Sequence, residues 1–178
     1  MGRLDNRVAL VTGASRGLGE GIARALAREG AVVVCADLLD AGPVAASLPR
    51  STDGRAGKAI RLDVTSTPDV EQAVAQTVEE YGALDILANN AGVAQPIREM
   101  VDTPDEVIER VFAVNVKGLI ACSRAAGRVM REQRRGRIIN TASQVAKVPW
   151  PGWGTYCASR PPWWRSHRTW RSNWHLST

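Results

Sequence analysis

Cysteine is scarce in this 178-residue chain, and what little there is excludes two kinds of architecture. Cys35, Cys122 and Cys157 are odd in number and widely separated, with no Cys-x-x-Cys and no Cys/His ligand spacing. Neither a disulfide framework nor a zinc site is expected, and no other metal site is indicated. Long apolar runs are also missing, so no membrane span is expected. The opening "MGRLDNRVALVTG" lacks the cationic-then-apolar order of a secretory leader. Gly2 follows Met1, but no Ser or Thr stands where myristoylation requires one. The expectation is a reduced, soluble, cytoplasmic protein with no membrane partner.

Acidic residues are missing from one segment. Residues 160–178 hold Arg160, Arg165, Arg168 and Arg171 with no Asp or Glu, so they carry +4 of the formal +5. The rest is nearly neutral, and a nucleic-acid partner has no support outside that tail. Charged residues make up 23% and apolar residues 44%, an ordinary globular balance, and the length suits one domain with a real core.

What is present is an alternation of apolar runs and longer amphipathic stretches. "VALVTG" (8–13), "AVVVCAD" (31–37), "KAIRLDV" (58–64), "LDILANNAG" (84–92) and "GRIINTAS" (136–143) read as five buried strands. Their near-continuous Val, Ile and Leu content suits a parallel sheet covered on both faces. "GLGEGIARALAREG" spaces Ile22, Ala23, Leu26 and Ala27 as a helix that stops at Gly30. "TPDVEQAVAQTVEEYG" predicts a helix capped by Thr67, with Pro68 in its first turn and Val70, Val74 and Val78 on one face. A long, bent helix is expected over much of 104–133, and a loop or weak helix over 40–57. There is no internal repeat. Together these elements predict a doubly wound α/β fold of the Rossmann-like kind.

Between the first strand and first helix lies "VALVTGASRGLGEGI", a glycine-rich turn spaced Gly-x3-Gly-x-Gly. A dinucleotide pyrophosphate needs close backbone approach, free amide N–H groups and the positive end of a helix dipole. Gly13, Gly17 and Gly19 allow the approach, Leu18 lies between them, and Ser15 and Arg16 can add side-chain donors. At the end of the second strand, Asp37 can accept hydrogen bonds from the adenosine ribose hydroxyls and repel a 2′-phosphate. It favours NAD over NADP, while Arg16 argues weakly the other way.

"TGASRGLG" (12–19), "DV" (63–64), "NNAG" (89–92), Asn115, Ser143 and "YCAS" (156–159) together resemble the short-chain dehydrogenase/reductase family, in order and at family spacing. The likeness runs almost continuously through residues 1–159. It implies that Asp63 and Val64 hold the adenine, and that Asn89, Ala91 and Gly92 pass beneath the cofactor. Asn115 would bind a backbone-held water in a proton relay. Ser143 would hydrogen-bond the substrate oxygen, and Tyr156 would be the general acid or base. The implied activity is hydride exchange between a nicotinamide cofactor and a small alcohol or ketone.

A free tyrosine ionises at about 10, too high for an efficient base near neutrality. A cation one helical turn on would lower that value, and the family supplies it as Lys in a Tyr-x3-Lys pair. Here the position is Arg160, followed by Pro161 and Pro162. Arginine's planar fork does not mimic a compact ammonium. A residue before proline is pushed out of the helical region, so the helix is expected to break there.

Residues 160–178, "RPPWWRSHRTWRSNWHLST", are read as a frameshift product rather than a functional tail. Shifting the frame back by one base permits "AAVVALTQDLALELAP". Its second Val (from Trp163–Trp164), one Leu (Asn173–Trp174) and one Ala (Trp174–His175) are forced. Loss of one adenine from AAG before GCC turns Lys-Ala into Arg-Pro, and the restored text "YCASKAAVVALT" is an amphipathic helix with its Lys. The expected organisation is therefore 1–159 as a partial dinucleotide-binding domain and 160–178 as an aberrant tail. The family continues about ninety residues further, adding strands, the substrate loop and much of an oligomer interface. Intact relatives are expected to be homo-oligomers and this chain, incomplete at its C-terminal side, is not. Two rivals remain: a non-catalytic dinucleotide-binding module, and a tail that anchors to nucleic acid or membrane. Trp150 and Trp153 suggest an apolar wall on the substrate side, or else core packing or a flexible loop.

Overall fold

Five short strands, all parallel, form one sheet in the computed structural model, which describes residues 2–160. They are β1 (Val8–Thr12), β2 (Val32–Asp37), β3 (Lys58–Arg61), β4 (Ile86–Asn89) and β5 (Arg137–Asn140). The spatial order is β3-β2-β1-β4-β5, so the chain builds outward to one side and then returns to place β4 beside β1. That reversal opens a crevice at the carboxyl ends of β1 and β4, where doubly wound sheets take their ligands.

Burial on both faces explains the apolar β1, β2 and β4, whereas β3 and β5, also expected to be buried, are edge strands and partly exposed. Leu10, Val34 and Leu87 point to one side and pack on Val70, Val74, Ala126 and Met130 from α3 (Thr67–Tyr81) and α5 (Leu119–Glu132). Val11, Val33 and Cys35 point to the other and pack on Ala23 and Ala27 of α1 (Gly17–Arg28) and Val44 of α2 (Gly42–Ser47). The alternation follows from the two-residue period of a strand. The weak helix expected within 40–57 is α2, only six residues long.

Two local expectations change. The cap of α3 is Ser66, not Thr67: its Oγ accepts from the Asp69 N–H at 3.3 Å, and Thr67 is the first helical residue. Both hydroxyl residues suit a cap, and the one with extended backbone takes the role. The long helix over 104–133 is α4 (Asp105–Phe112) running into α5 through a widened turn, Ala113–Gly118. Such π-type turns insert a residue into the ladder and bend the helix. Asn115 lies in that turn.

At the opposite end of the sheet Asp85 holds three strands together. Buried just ahead of β4, it accepts from the Val8 N–H at 3.0 Å and pairs with Arg7 at 3.2 Å and Arg135 at 2.8 Å. Its main chain bonds Val8 on one side and Arg137 on the other. Among the described residues no helix is long and apolar enough to cross a membrane, and no cluster of His, Cys, Asp and Glu could hold a metal.

Replacing Asp85 by Ala strands the Val8 amide and two arginines, and urea unfolding should show a loss of about 2–3 kcal/mol. A second expectation concerns pH. Burial pushes the Cys35 thiol up to about 11 and the Cys122 thiol up to about 12. A raised folded value means that folding favours the protonated thiol. Stability should be level below the unfolded value of about 8.5 and fall as pH rises through the folded values. Cys35→Ala with Cys122→Ala should flatten the urea midpoint between pH 8 and pH 10.

Candidate active site

The glycine turn closes over the tip of β1. Gly13 and Gly17 have φ of 68° and 60°, the left-handed region that glycine enters without a Cβ penalty. A Cβ on Gly19 would fall inside the Gly13 carbonyl, and one on Gly13 would lie 2.9 Å from the Ala91 Cα. One on Gly17 would meet nothing. Thus Gly13 and Gly19 serve the packing of the turn, whereas Gly17 faces open space.

Around that space stand the groups an anionic ligand needs. Arg16 precedes α1 in extended conformation with no side-chain cap, so the first amides of α1 are left for another partner. The Ser15 Oγ is buried with no hydrogen-bond partner, while its N–H donates to Asp37 Oδ2 at 2.9 Å. Asp37 Oδ1 accepts from the Leu39 N–H at 3.0 Å, which fixes the carboxylate beside the turn. Arg16 and Leu18 are exposed on the same rim. A buried orphan hydroxyl, an uncapped helix start and a carboxylate at the edge of β2 fit a dinucleotide.

The tips of β1, β4 and β5 are laced together by Asn89 and by side chains to which sequence reasoning gave no role, Thr12, Ser123 and Asn140. Thr12 Oγ1 accepts from both the Asn90 and Ala91 N–H at 3.1 Å. Asn90 Nδ2 donates to the Gly13 carbonyl at 3.1 Å. Asn89 Nδ2 donates to Ser123 Oγ at 2.8 Å and to Asn140 Oδ1 at 2.9 Å, leaving its own Oδ1 buried without a partner. Asp63 Oδ1 accepts from the N–H and hydroxyl of Thr65, shaping the loop after β3, and Val64 is buried beneath it.

Asn115 is buried in the widened turn. Its carboxamide is fully committed to protein: Oδ1 accepts from the Val93 N–H, and Nδ2 donates to the Val93 carbonyl and to Ser159 Oγ. The side chain therefore ties the loop after β4 to α6 (Gly154–Ser159). Ser143 follows β5 and accepts from the Val145 N–H at 3.4 Å. Tyr156 sits on α6, with its N–H donated to Gln95 Oε1 at 2.8 Å. Gln95 Nε2 also reaches the Gly152 carbonyl at 3.2 Å. This buried amide holds the start of α6 to the loop after β4.

Arg160 has turned inward. α6 ends at Ser159, and Arg160 has left the helix with φ −115° and ψ 54°. The residue is 4% exposed, donates from one terminal nitrogen to the Thr141 carbonyl at 3.0 Å, and lies flat against Gly92. Its guanidinium carbon stands 5.7 Å from the centre of the Tyr156 ring, and its Nε is buried with no partner. Trp150 and Trp153 belong to neither core. They continue outward from Tyr156 in edge-to-face contacts, with centroids 5.4 Å apart for Trp153–Tyr156 and 6.4 Å for Trp150–Trp153.

Residues 7–162 match the family described as short chain dehydrogenase. Galactitol 2-dehydrogenase of Agrobacterium fabrum is 42% identical over 161 residues, which cover 89% of this chain and 60% of that protein. Sorbitol dehydrogenase of Cereibacter sphaeroides is 39% identical over 159 residues, with 89% and 60% covered. An NAD+-bound xylitol dehydrogenase superposes with a TM-score of 0.83 at 32% identity, covering 89% of this chain and 61% of the other. The chain thus spans about three fifths of the length of these relatives.

Exposed Gly17 and buried Gly19 should respond very differently to substitution. Gly17→Ala meets only backbone strain, about 1–2 kcal/mol, whereas Gly19→Ala collides with backbone and should cost 3 kcal/mol or more. Urea unfolding of the two variants checks the difference.

Proposed function

The chain belongs to the short-chain dehydrogenase family, and from that premise we propose that it is a nicotinamide-dinucleotide protein of the alcohol/ketone oxidoreductase type whose own turnover is impaired. The observation that carries the cofactor part is the buried, unpartnered Ser15 hydroxyl beside an uncapped helix start and Asp37. Gly13, Ser15, Arg16, Gly17, Leu18 and Gly19 would hold the pyrophosphate. Asp37 would take the adenosine ribose, Asp63 and Val64 the adenine, and Asn89, Ala91 and Gly92 the nicotinamide side. Asp37 would repel a 2′-phosphate, which favours NAD over NADP. When bound, the nicotinamide supplies a hydride acceptor or donor for the carbon of an alcohol or ketone.

The chain's own residues would manage the substrate oxygen. Ser143 would donate a hydrogen bond to it, and the Tyr156 hydroxyl would take or give its proton. Asn115 would position these groups by tying α6 to the loop after β4. The named activities of the relatives make a small alcohol the natural substrate class.

Arg160 supports the impairment. A guanidinium turned toward Thr141 and Gly92 does not stand one helical turn from Tyr156 on a common helix face. The family match ends at residue 162, which supports 1–159 as the dinucleotide-binding domain and 160–178 as out-of-frame text. Resequencing the source DNA tests this: an intact AGG-CCG reading with no helix-encoding frame beside it removes the idea.

NADH should bind, with NADPH at least about tenfold weaker, and Asp37→Ala should narrow that gap. Turnover of secondary alcohols should lie about 10²–10⁴-fold below that of a chain carrying "YCASKAAVVALT" after Thr155. Fluorescence titration and a steady-state assay read both. Absence of NADH binding would end the cofactor reading, whereas equal turnover would end the impairment.

A further inference from the structure

The substrate side of the crevice is built from two loops joined at Gly152. The Arg98 N–H and Gln95 Nε2 both donate to the Gly152 carbonyl, at 3.2 Å each. The Ile97 side chain faces the Gly152 Cα, and Met100 packs on Gly154. These loops leave large apolar side chains in solvent: Ile97 is 74% exposed, Val148 56% and Trp150 49%, with Glu99, Gln144 and Lys147 exposed on the same loops. Trp150, Trp153 and Tyr156 form one aromatic series leading from solvent to the proposed proton carrier.

Three of the polar side chains among these loops are occupied. Gln95 spends both ends of its amide on backbone, at Gly152 and Tyr156. Arg98 donates to the Asp102 carbonyl, and buried Thr155 is turned toward the Met100 sulfur. A polyol laid on these ring faces would lose water from several hydroxyls that an aromatic face does not hydrogen-bond in return, which disfavours it. An apolar body gains by the same contact, since rings pack edge-to-face on tryptophan and exposed apolar clusters mark binding surfaces.

Resting on the oxidoreductase reading above, we propose that the Trp150–Trp153–Tyr156 wall selects a secondary alcohol or ketone with an aromatic or aliphatic body next to the reacting carbon, and rejects polyols. The occupant is a small molecule because the series ends on Tyr156, the group that would meet the substrate oxygen.

The test is saturation-transfer NMR on the full chain with NAD present, using 1-phenylethanol, acetophenone and sorbitol as probes. The phenyl protons of the first two should saturate and sorbitol should stay silent. Trp150→Ala should weaken 1-phenylethanol about three- to tenfold. Trp150→Phe should restore most of it, which a general disturbance of the fold would not allow. Ile97→Ser, at a more exposed position, should weaken it less. Sorbitol saturating as strongly as 1-phenylethanol would overturn the proposal. So would phenyl signals indifferent to Trp150→Ala, or phenyl silence with a Trp150-dependent dimer in sedimentation, which would make the wall a contact between copies. NADH titration of the same samples separates the two readings. Binding of NADH with a failed phenyl arm sinks the substrate class alone, and no NADH binding sinks the oxidoreductase reading.

Discussion

Between the carboxyl ends of β1 and β4 there is room for backbone and little else. Gly13 approaches Ala91, Gly19 approaches Gly13, and the Thr12 hydroxyl bridges the gap by accepting from two consecutive amides of β4's continuation. This close approach makes the rest possible. It brings Asn90 onto the Gly13 carbonyl, aims the start of α1 into the crevice, and leaves Gly17 facing open space. The same tightness sets the path of the loop after β4, which then carries Val93 to Asn115 and Gln95 to Tyr156. A side chain inserted at the strand tips would therefore disturb both the phosphate side and the substrate side.

The two sides differ in how they are held. The phosphate side is held by local geometry, a turn whose conformation follows from its glycines and from the strand that feeds it. The substrate side is held by side chains reaching across the fold. Gln95 and Tyr156 are 61 residues apart, and Asn115 and Ser159 are 44 apart. Loops tied by a few long-range bonds open more readily than strands buried on both faces. That contrast suits the proposed site, in which the cofactor half would be fixed and the substrate half would adapt.

The same distinction governs what could be read from the sequence. The strands, their parallel order and the glycine turn are legible because each is a short-range pattern: continuous burial, a fixed residue spacing, an acid at a strand end. Asp37 was visible for that reason, although its bond to the Ser15 amide was not. The choice of Ser66 over Thr67 as a cap turns on backbone torsions that two adjacent hydroxyl residues do not distinguish. Gln95, Thr12 and Ser123 were missed because nothing local separates an amide or hydroxyl committed to distant backbone from one in water. Asn115 was found by resemblance, but the bonds by which its amide holds Val93 and Ser159 reach 22 and 44 residues along the chain and have no local signature.

Arg160 shows how a backbone event can outweigh a change of side chain. Exchanging lysine for arginine keeps the charge, and on an intact helix the guanidinium would still stand one turn from Tyr156. The proline that follows in the sequence removes that option, because a residue before proline is forced from the helical region. With its φ and ψ outside the helix, Arg160 sends its side chain under the Tyr156 ring to the Thr141 carbonyl. There the cation is buried with an unpartnered Nε, an arrangement that costs stability unless something offsets it. The ring face of Tyr156 offsets part of that cost by attracting the cation electrostatically. Tyr156 thus becomes a support for the arginine, where a lysine on a continuous helix would have supported the tyrosine. The proposed loss of the catalytic pair would lie first in the torsions of residue 160 and only second in its identity.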